Sequence, residues 1–256
     1  MRSIGWQELL VILGLLVVFL LARRTPELFR WLGVQIRSLL GQLRWIYHSL
    51  GGTPEQERSA EVEVGRQLAA RFLAQAPPTP DPDLQSRVRQ VAARLAAHVP
   101  GRQFIVQVVE APSVNAYALP GGYVFLSRAL VDGLENAEDE LAFLIAHEMG
   151  HVVRGHPTEK VFLDTLLGAV RSGQLLAQLV SLGHSREQEL EADEFALELL
   201  VKAGFRSEAG LDLMDRLAIS EHARSPLESY WSTHPSLAER RQHLRRVLQR
   251  AKSNHA

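Results

Sequence analysis

His147, Glu148 and His151 stand in the run FLIAHEMGHVVR at residues 143–154, where they place two imidazoles and a carboxylate in the pattern HExxH. At about 100° per residue, His147 and His151 fall one turn apart on a single helical face, so both rings can reach one metal ion. Glu148 sits at the edge of that face, placed to take a proton from a metal-activated water without binding the metal itself. The chemistry on offer is hydrolysis.

Two histidines four apart also occur on ordinary surface helices. Here Leu141, Phe143, Leu144, Ile145, Ala146, Met149, Val152 and Val153 make the segment apolar almost all round, which predicts a core helix, entered through Glu138, Asp139 and Glu140 at its positive end. Unpartnered polar groups in a core are costly, and one metal ion would satisfy all three.

A catalytic zinc needs a third protein ligand. The metzincin arrangement would require glycine at position 154 and histidine at position 157, where Arg154 and Pro157 stand. The next candidate is the helix SREQELEADEFALELL at residues 185–200, with Ser185 as its N-cap. Glu189 and Asp193 share a face there, so one can bind metal while the other orients a histidine ring. Glu187, Glu191, Glu194 and Glu198 leave an acidic solvent face as the alternative.

HEMGHV, followed by SREQELEAD, resembles the HtpX and BepA type of gluzincin metallopeptidases. VNAYALPGGYVFLS at 114–127, THPS at 233–236 and Arg240 belong to the same resemblance, which spans roughly residues 55–247. It implies an α+β, mostly helical, zincin-like domain with a small sheet beside the HExxH helix. It also implies one zinc ion held by His147, His151 and Glu189, with Asp193 behind the ligands. His234 of THPS would approach the metal or stabilise an oxyanion, and Arg240 would support that region. The strand containing Asn115, Ala116, Tyr117 and Ala118 would bind a polypeptide substrate by strand addition, although an ordinary edge strand fits these residues too.

The elements that position these groups are legible in outline. The chain of 256 residues, 46% hydrophobic and with a net charge of −1, has room for one domain and an extra segment, and its charge points to no nucleic-acid partner. It contains no cysteine, which excludes disulfides and thiolate sites. Residues 4–22 (IGWQELLVILGLLVVFLLA) predict a short, uncleaved transmembrane helix between Trp6 and the pair Arg23 and Arg24. Residues 26–47 follow as an amphipathic helix with Arg30, Arg37 and Arg44 at seven-residue intervals, suited to an anionic lipid surface; a helix docked on the core is the alternative.

This amino-terminal arrangement resembles the twin-arginine translocase subunit TatA, except that Leu20 and Leu21 stand where that family commonly has glycine. The resemblance implies a membrane-protein partner. Arginines after the anchor predict a single-pass protein of a bacterial-type inner membrane with its catalytic domain in the cytoplasm. The resemblance to BepA points instead to the periplasmic side. Residues 1–50 thus form an anchor, Gly51 and Gly52 a hinge, 53–250 the metallopeptidase domain and 251–256 a tail.

Within the domain, helices are expected from Thr53 to about Ala76 and from Leu84 to about Val99, separated by a loop PPTPDPD at 77–83. Strands are expected at 104–110, 115–119 and 123–127, the last two joined by a turn at Pro120, Gly121 and Gly122. The apolar segment 161–182 reads as a lid or core helix rather than a span, because Asp164 and Arg171 interrupt it. His156 and His184, which flank it, read as surface or turn histidines, with an approach to the metal as the alternative for either. Further helices are expected at 207–221 and 237–250.

These residues predict a zinc-dependent endopeptidase in which Glu148 accepts a proton from water and passes it to the leaving amine. The rival is a membrane-recruited assembly protein with a structural metal, against which Glu148 counts because a closed structural site needs no base.

Overall fold

The computed structural model describes residues 53–134, 137–158, 184–220, 230, 234 and 237–253. The expected transmembrane and amphipathic helices, the Gly51–Gly52 hinge, the segment 161–182 and most of the THPS loop lie outside them. No helix among the described residues is long and apolar enough to cross a membrane.

Helix α1 (Pro54–Gln75) starts where Thr53 accepts from the backbone N–H of Gln56 and the Gln56 side chain accepts from the N–H of Thr53, with proline at its first position. Helix α2 (Pro82–Ala96) begins earlier than its sequence suggests. Asp81 caps it by accepting from Leu84 N, and Pro82 and Asp83 fall in its first turn. The expected loop is therefore shorter, because a proline at a helix start lacks an N–H that would have no intrahelical partner anyway.

Three strands follow: β1 (Ile105–Val109), β2 (Ala116–Leu119) and β3 (Tyr123–Ser127), in the order β1-β3-β2. β1 runs parallel to β3, while β2 runs antiparallel to it across the turn Pro120–Gly122. Alternation along the strands splits the core. Phe72 of α1 stacks on Phe125 at 4.6 Å and meets Tyr117 edge-on at 4.9 Å on one face. Val106, Val108, Val124 and Leu126 face the opposite way, toward α2 and the helix that carries HExxH.

A short helix α3 (Arg128–Gly133), which the periodicity does not announce, leads into α4 (Glu138–Arg154). α4 has Glu138, Asp139 and Glu140 in its first turn and is buried from Leu141 to Val152. It packs most extensively against α5 (Arg186–Lys202), which Ser185 and Gln188 open with a second reciprocal cap. Gly150 allows this closeness: a Cβ there would lie 3.1 Å from the Ala192 backbone. Helices α6 (Ala209–Ser220) and α7 (Leu237–Ser253) close the far side, with Met214 and Leu244 in the core.

Candidate metal centre

Two consecutive turns of α4 carry His147, Glu148 and His151, each buried to 1% exposure or less. Their 3.6-residue spacing turns the two imidazoles toward each other, with Nε2 of His147 3.0 Å from Nε2 of His151. α5 brings Glu189 across the helix pair. Its Oε2 is 3.5 Å from His147 Nε2 and its Oε1 is 3.5 Å from His151 Nε2. His234 arrives from the chain ahead of α7 and donates from Nδ1 to Glu189 Oε1 at 2.9 Å.

His147, His151, Glu189 and His234 each offer one ligand atom within 4.8 Å of the others, and all four are buried. Imidazole nitrogens with a single carboxylate form a donor set that suits zinc. The geometry fits a cation as well. Two buried ring nitrogens 3.0 Å apart can share at most one proton, and an ion among them would engage both lone pairs.

Behind the ligands lies a second layer of charge. His147 Nδ1 donates to Asp193 Oδ1 at 2.9 Å, which fixes its tautomer and aims Nε2 at the centre. Arg240, fully buried on α7, grips Asp193 with Nε at 2.7 Å and Nη2 at 2.6 Å, and reaches Glu189 Oε2 with Nη1 at 2.7 Å. One guanidinium thus faces two carboxylates in a fork-like arrangement.

The electrostatics follow. Burial raises the Asp193 carboxyl, but the charge and hydrogen bonds of Arg240 outweigh it and hold the group below its usual range. Glu189 is likewise pushed up by burial and pulled further down by the charges of His234 and Arg240. Burial and Arg240 depress His147, yet hydrogen bonds to Asp193 and Glu189 lift it to about 9. His151 is driven well below the ordinary histidine range, by burial first and then by charge on His147. In the metal-free protein the pair therefore carries its proton on His147.

Glu148 stands apart from this ligand set. Tyr230, a fully buried tyrosine, donates its hydroxyl to Glu148 Oε1 at 3.0 Å, while His234 Nε2 lies 3.9 Å from the same oxygen. Burial, and then the Glu148 charge, drive the Tyr230 hydroxyl well above its usual pKa, so it remains a donor. Sequence reading missed Tyr230. Its one signal is a position four residues before His234.

Asn115 lies just before β2, and Ala116, Tyr117 and Ala118 lie within it, beside α4. Ser127 N donates to Asn115 O. Alternation along the ladder then turns the backbone of residues 115, 117 and 119 toward β3 and that of Ala116 and Ala118 toward the outer edge. Ala116 N accordingly bonds not to β3 but to the Asn115 side chain at 2.9 Å. The Tyr117 hydroxyl is engaged with Ser113 Oγ at 2.6 Å, away from the ligands.

His156 and His184 depart from their reading as surface or turn histidines. His156 is buried with Nδ1 2.8 Å from His151 Nδ1, and His184 stacks on the His151 ring at 3.7 Å. The left-handed Gly155 (φ 78°), which closes α4, folds the chain back and brings His156 onto the helix it has just left.

The family described as "Peptidase family M48" matches residues 78–248. The chain is 31% identical over 173 residues to bovine "Metalloendopeptidase OMA1, mitochondrial", covering 58% of this chain and 33% of that protein. Against "Metalloprotease LoiP" of Escherichia coli (strain K12) it is 32% identical over 177 residues, 62% of this chain and 68% of the relative. "Metalloprotease YcaL" of the same bacterium is 25% identical over 203 residues, 73% of this chain and 75% of the relative. The chain thus spans about a third of the length of the bovine relative.

Proposed function

Since the chain belongs to peptidase family M48 and is a metalloprotease, we propose that it is a membrane-anchored, zinc-dependent endopeptidase of protein processing or quality control. His147, His151 and Glu189 would hold the zinc, with His234 beside them. The observation that carries the reading is the buried convergence of these four ligand atoms, with Glu148 fixed beside them and engaged by Tyr230 rather than by the cluster.

A zinc ion bound there would supply Lewis-acid polarisation of the scissile carbonyl and a lowered pKa for water. The remaining work falls to side chains. Glu148, with Oε1 held by Tyr230, keeps its other carboxylate oxygen for the attacking water. It accepts that proton as the water oxygen bonds to the carbonyl carbon, and returns it to the amine nitrogen as the C–N bond breaks. Asp193 holds the His147 tautomer, and Arg240 holds Asp193 and Glu189. His234, whose ring packs on that of Tyr230 with centroids 4.4 Å apart, would stabilise the oxygen that gains charge. The outward carbonyl of Ala116 and the outward backbone groups of Ala118, with Asn115 and Tyr117 fixing the strand, would bind an extended polypeptide substrate.

The membrane setting rests on sequence. The apolar run at 4–22 and the basic amphipathic run at 26–47 support an anchor and a lipid surface, and the arginine bias supports a cytoplasmic domain. The likeness to TatA supports a membrane-protein partner, and the motif order supports an HtpX- or BepA-like grouping inside the family. Cleavage of casein by wild type and Glu148→Gln, with zinc measured in both, tests the reading. The variant keeps about one zinc per chain and loses cleavage by at least about a hundredfold, the order general-base catalysis contributes. Full activity in Glu148→Gln, or in chelated wild type, would overturn it.

A further inference from the structure

The two histidines of α4 are backed differently. His147 Nδ1 meets a carboxylate, whereas His151 Nδ1 meets another imidazole, His156 Nδ1, at 2.8 Å. On the far side of that ring, His156 Nε2 lies 3.4 Å from Glu191 Oε2. His156 is buried, while the Glu191 side chain is half exposed, so the row runs from the centre of the domain to solvent.

We infer that His156 and Glu191 are positioning residues that fix the tautomer and orientation of His151, His156 through a hydrogen bond and Glu191 through its charge on the far side of the His156 ring, an inference that rests on His151 being a zinc ligand. A ring that gives its Nε2 lone pair to a metal must carry its proton on Nδ1. That N–H points at His156 Nδ1, which must then accept and so carries its own proton on Nε2. The second proton faces Glu191. One assignment fits both contacts: His151 Nδ1–H donates to His156 Nδ1, and His156 Nε2–H faces the Glu191 carboxylate at 3.4 Å. A carboxylate at the end of such a row raises the basicity of the ligand, as a directly bonded carboxylate does in the more usual arrangement.

A second metal site is the other use for these rings, since ligand atoms of His151, His156 and His184 lie within 4.8 Å of one another. Ring stacking argues against it. His184 lies over His151 with centroids 3.7 Å apart and planes 20° from parallel. Each ring's nitrogen lone pairs lie in its own plane, so two stacked rings do not aim at one ion. His184 instead confines the face of His151 while His156 holds its edge.

Zinc affinity, measured by competition with a chromophoric chelator, separates hydrogen bonding from packing. His156→Leu removes the acceptor and weakens zinc binding about 10- to 100-fold, the range seen when such supporting groups are lost. His156→Gln presents an amide oxygen to the same N–H and stays within about threefold of wild type. Glu191→Ala, at the exposed end, falls between them. Unchanged affinity in His156→Leu, or equal losses in the Leu and Gln variants, would overturn the inference. Should the Leu variant fail to fold, side-chain 15N NMR of the zinc-loaded wild type decides. His151 protonated on Nδ1 and His156 on Nε2 support it, and His156 protonated on Nδ1 overturns it. A wild type that holds no zinc would overturn the metal reading along with it, whereas loaded wild type with indifferent variants overturns this inference alone.

Discussion

Tyr230 donates its hydroxyl to Glu148 Oε1 across 82 residues of chain, at 3.0 Å and with both side chains buried. The bond engages one carboxylate oxygen, and the proposed mechanism uses the other as base. Tyr230→Phe keeps the ring and deletes the donor. A hydrogen bond to a charged group contributes about 1.5–3 kcal/mol, so kcat falls about 10- to 100-fold while zinc content stays at wild-type level. Steady-state kinetics beside metal analysis check this; an unchanged kcat removes Tyr230 from the mechanism.

Arg240 compensates two buried carboxylates. Arg240→Met leaves Asp193 and Glu189 without their guanidinium, and breaking a buried pair from one side costs about 3–5 kcal/mol. Denaturant unfolding of the chelated protein should show that loss. A change below about 1 kcal/mol would mean that the cation does not hold the pair.

In the chelated protein His147 retains its proton up to about 9 because Asp193 and Glu189 accept from it, against burial and Arg240. The folded value lies above the unfolded one. Its contribution is therefore complete below about pH 6.5 and is lost as pH rises through 9. Melting temperature of zinc-free wild type should fall over that window, and His147→Gln should flatten it. Parallel curves for the two proteins would contradict the assignment.

Ala118 turns its backbone N–H to the outer edge of β2, where proline is tolerated on an edge strand. Ala118→Pro deletes one donor to an added substrate strand. KM should rise up to about tenfold, the equivalent of one hydrogen bond of about 1.4 kcal/mol, with zinc content unchanged. Peptide kinetics that match wild type would leave β2 an ordinary edge.

Gly150 marks the crossing of α4 and α5. Gly150→Ala puts a Cβ 3.1 Å from the Ala192 backbone, and relief requires α5, with Glu189, to move. Overpacking of this kind costs about 1–3 kcal/mol, and zinc affinity should drop with stability. Stability lost without any change in zinc binding would show that Glu189 does not depend on this contact.

Much of the centre was local and so could be read from spacing. His147 and His151 fall on one face because a helix repeats every 3.6 residues, and the Ser185 cap sets where α5 begins. The small sheet was legible from β-branched runs around Pro120, Gly121 and Gly122. α3 was not, since six residues are too short for periodicity to show, and the start of α2 was misplaced because Pro82 suits a first helical position as well as a loop.

By itself the sequence determined which residue types could share a helical face; spacing offered the later acidic helix as a candidate partner of HExxH, and the resemblance of the two motifs pointed to Glu189 within it. Only the tertiary structure decided that Tyr230 engages Glu148, that Arg240 is buried between Glu189 and Asp193, and that His156 and His184 pack on His151. Periodicity describes a residue's neighbours within a few turns. Contacts across 45 to 93 positions, such as His234 with Glu189 or Arg240 with His147, depend on how closely α4, α5 and α7 pack, and that distance is set by residues such as Gly150 that carry no chemistry of their own.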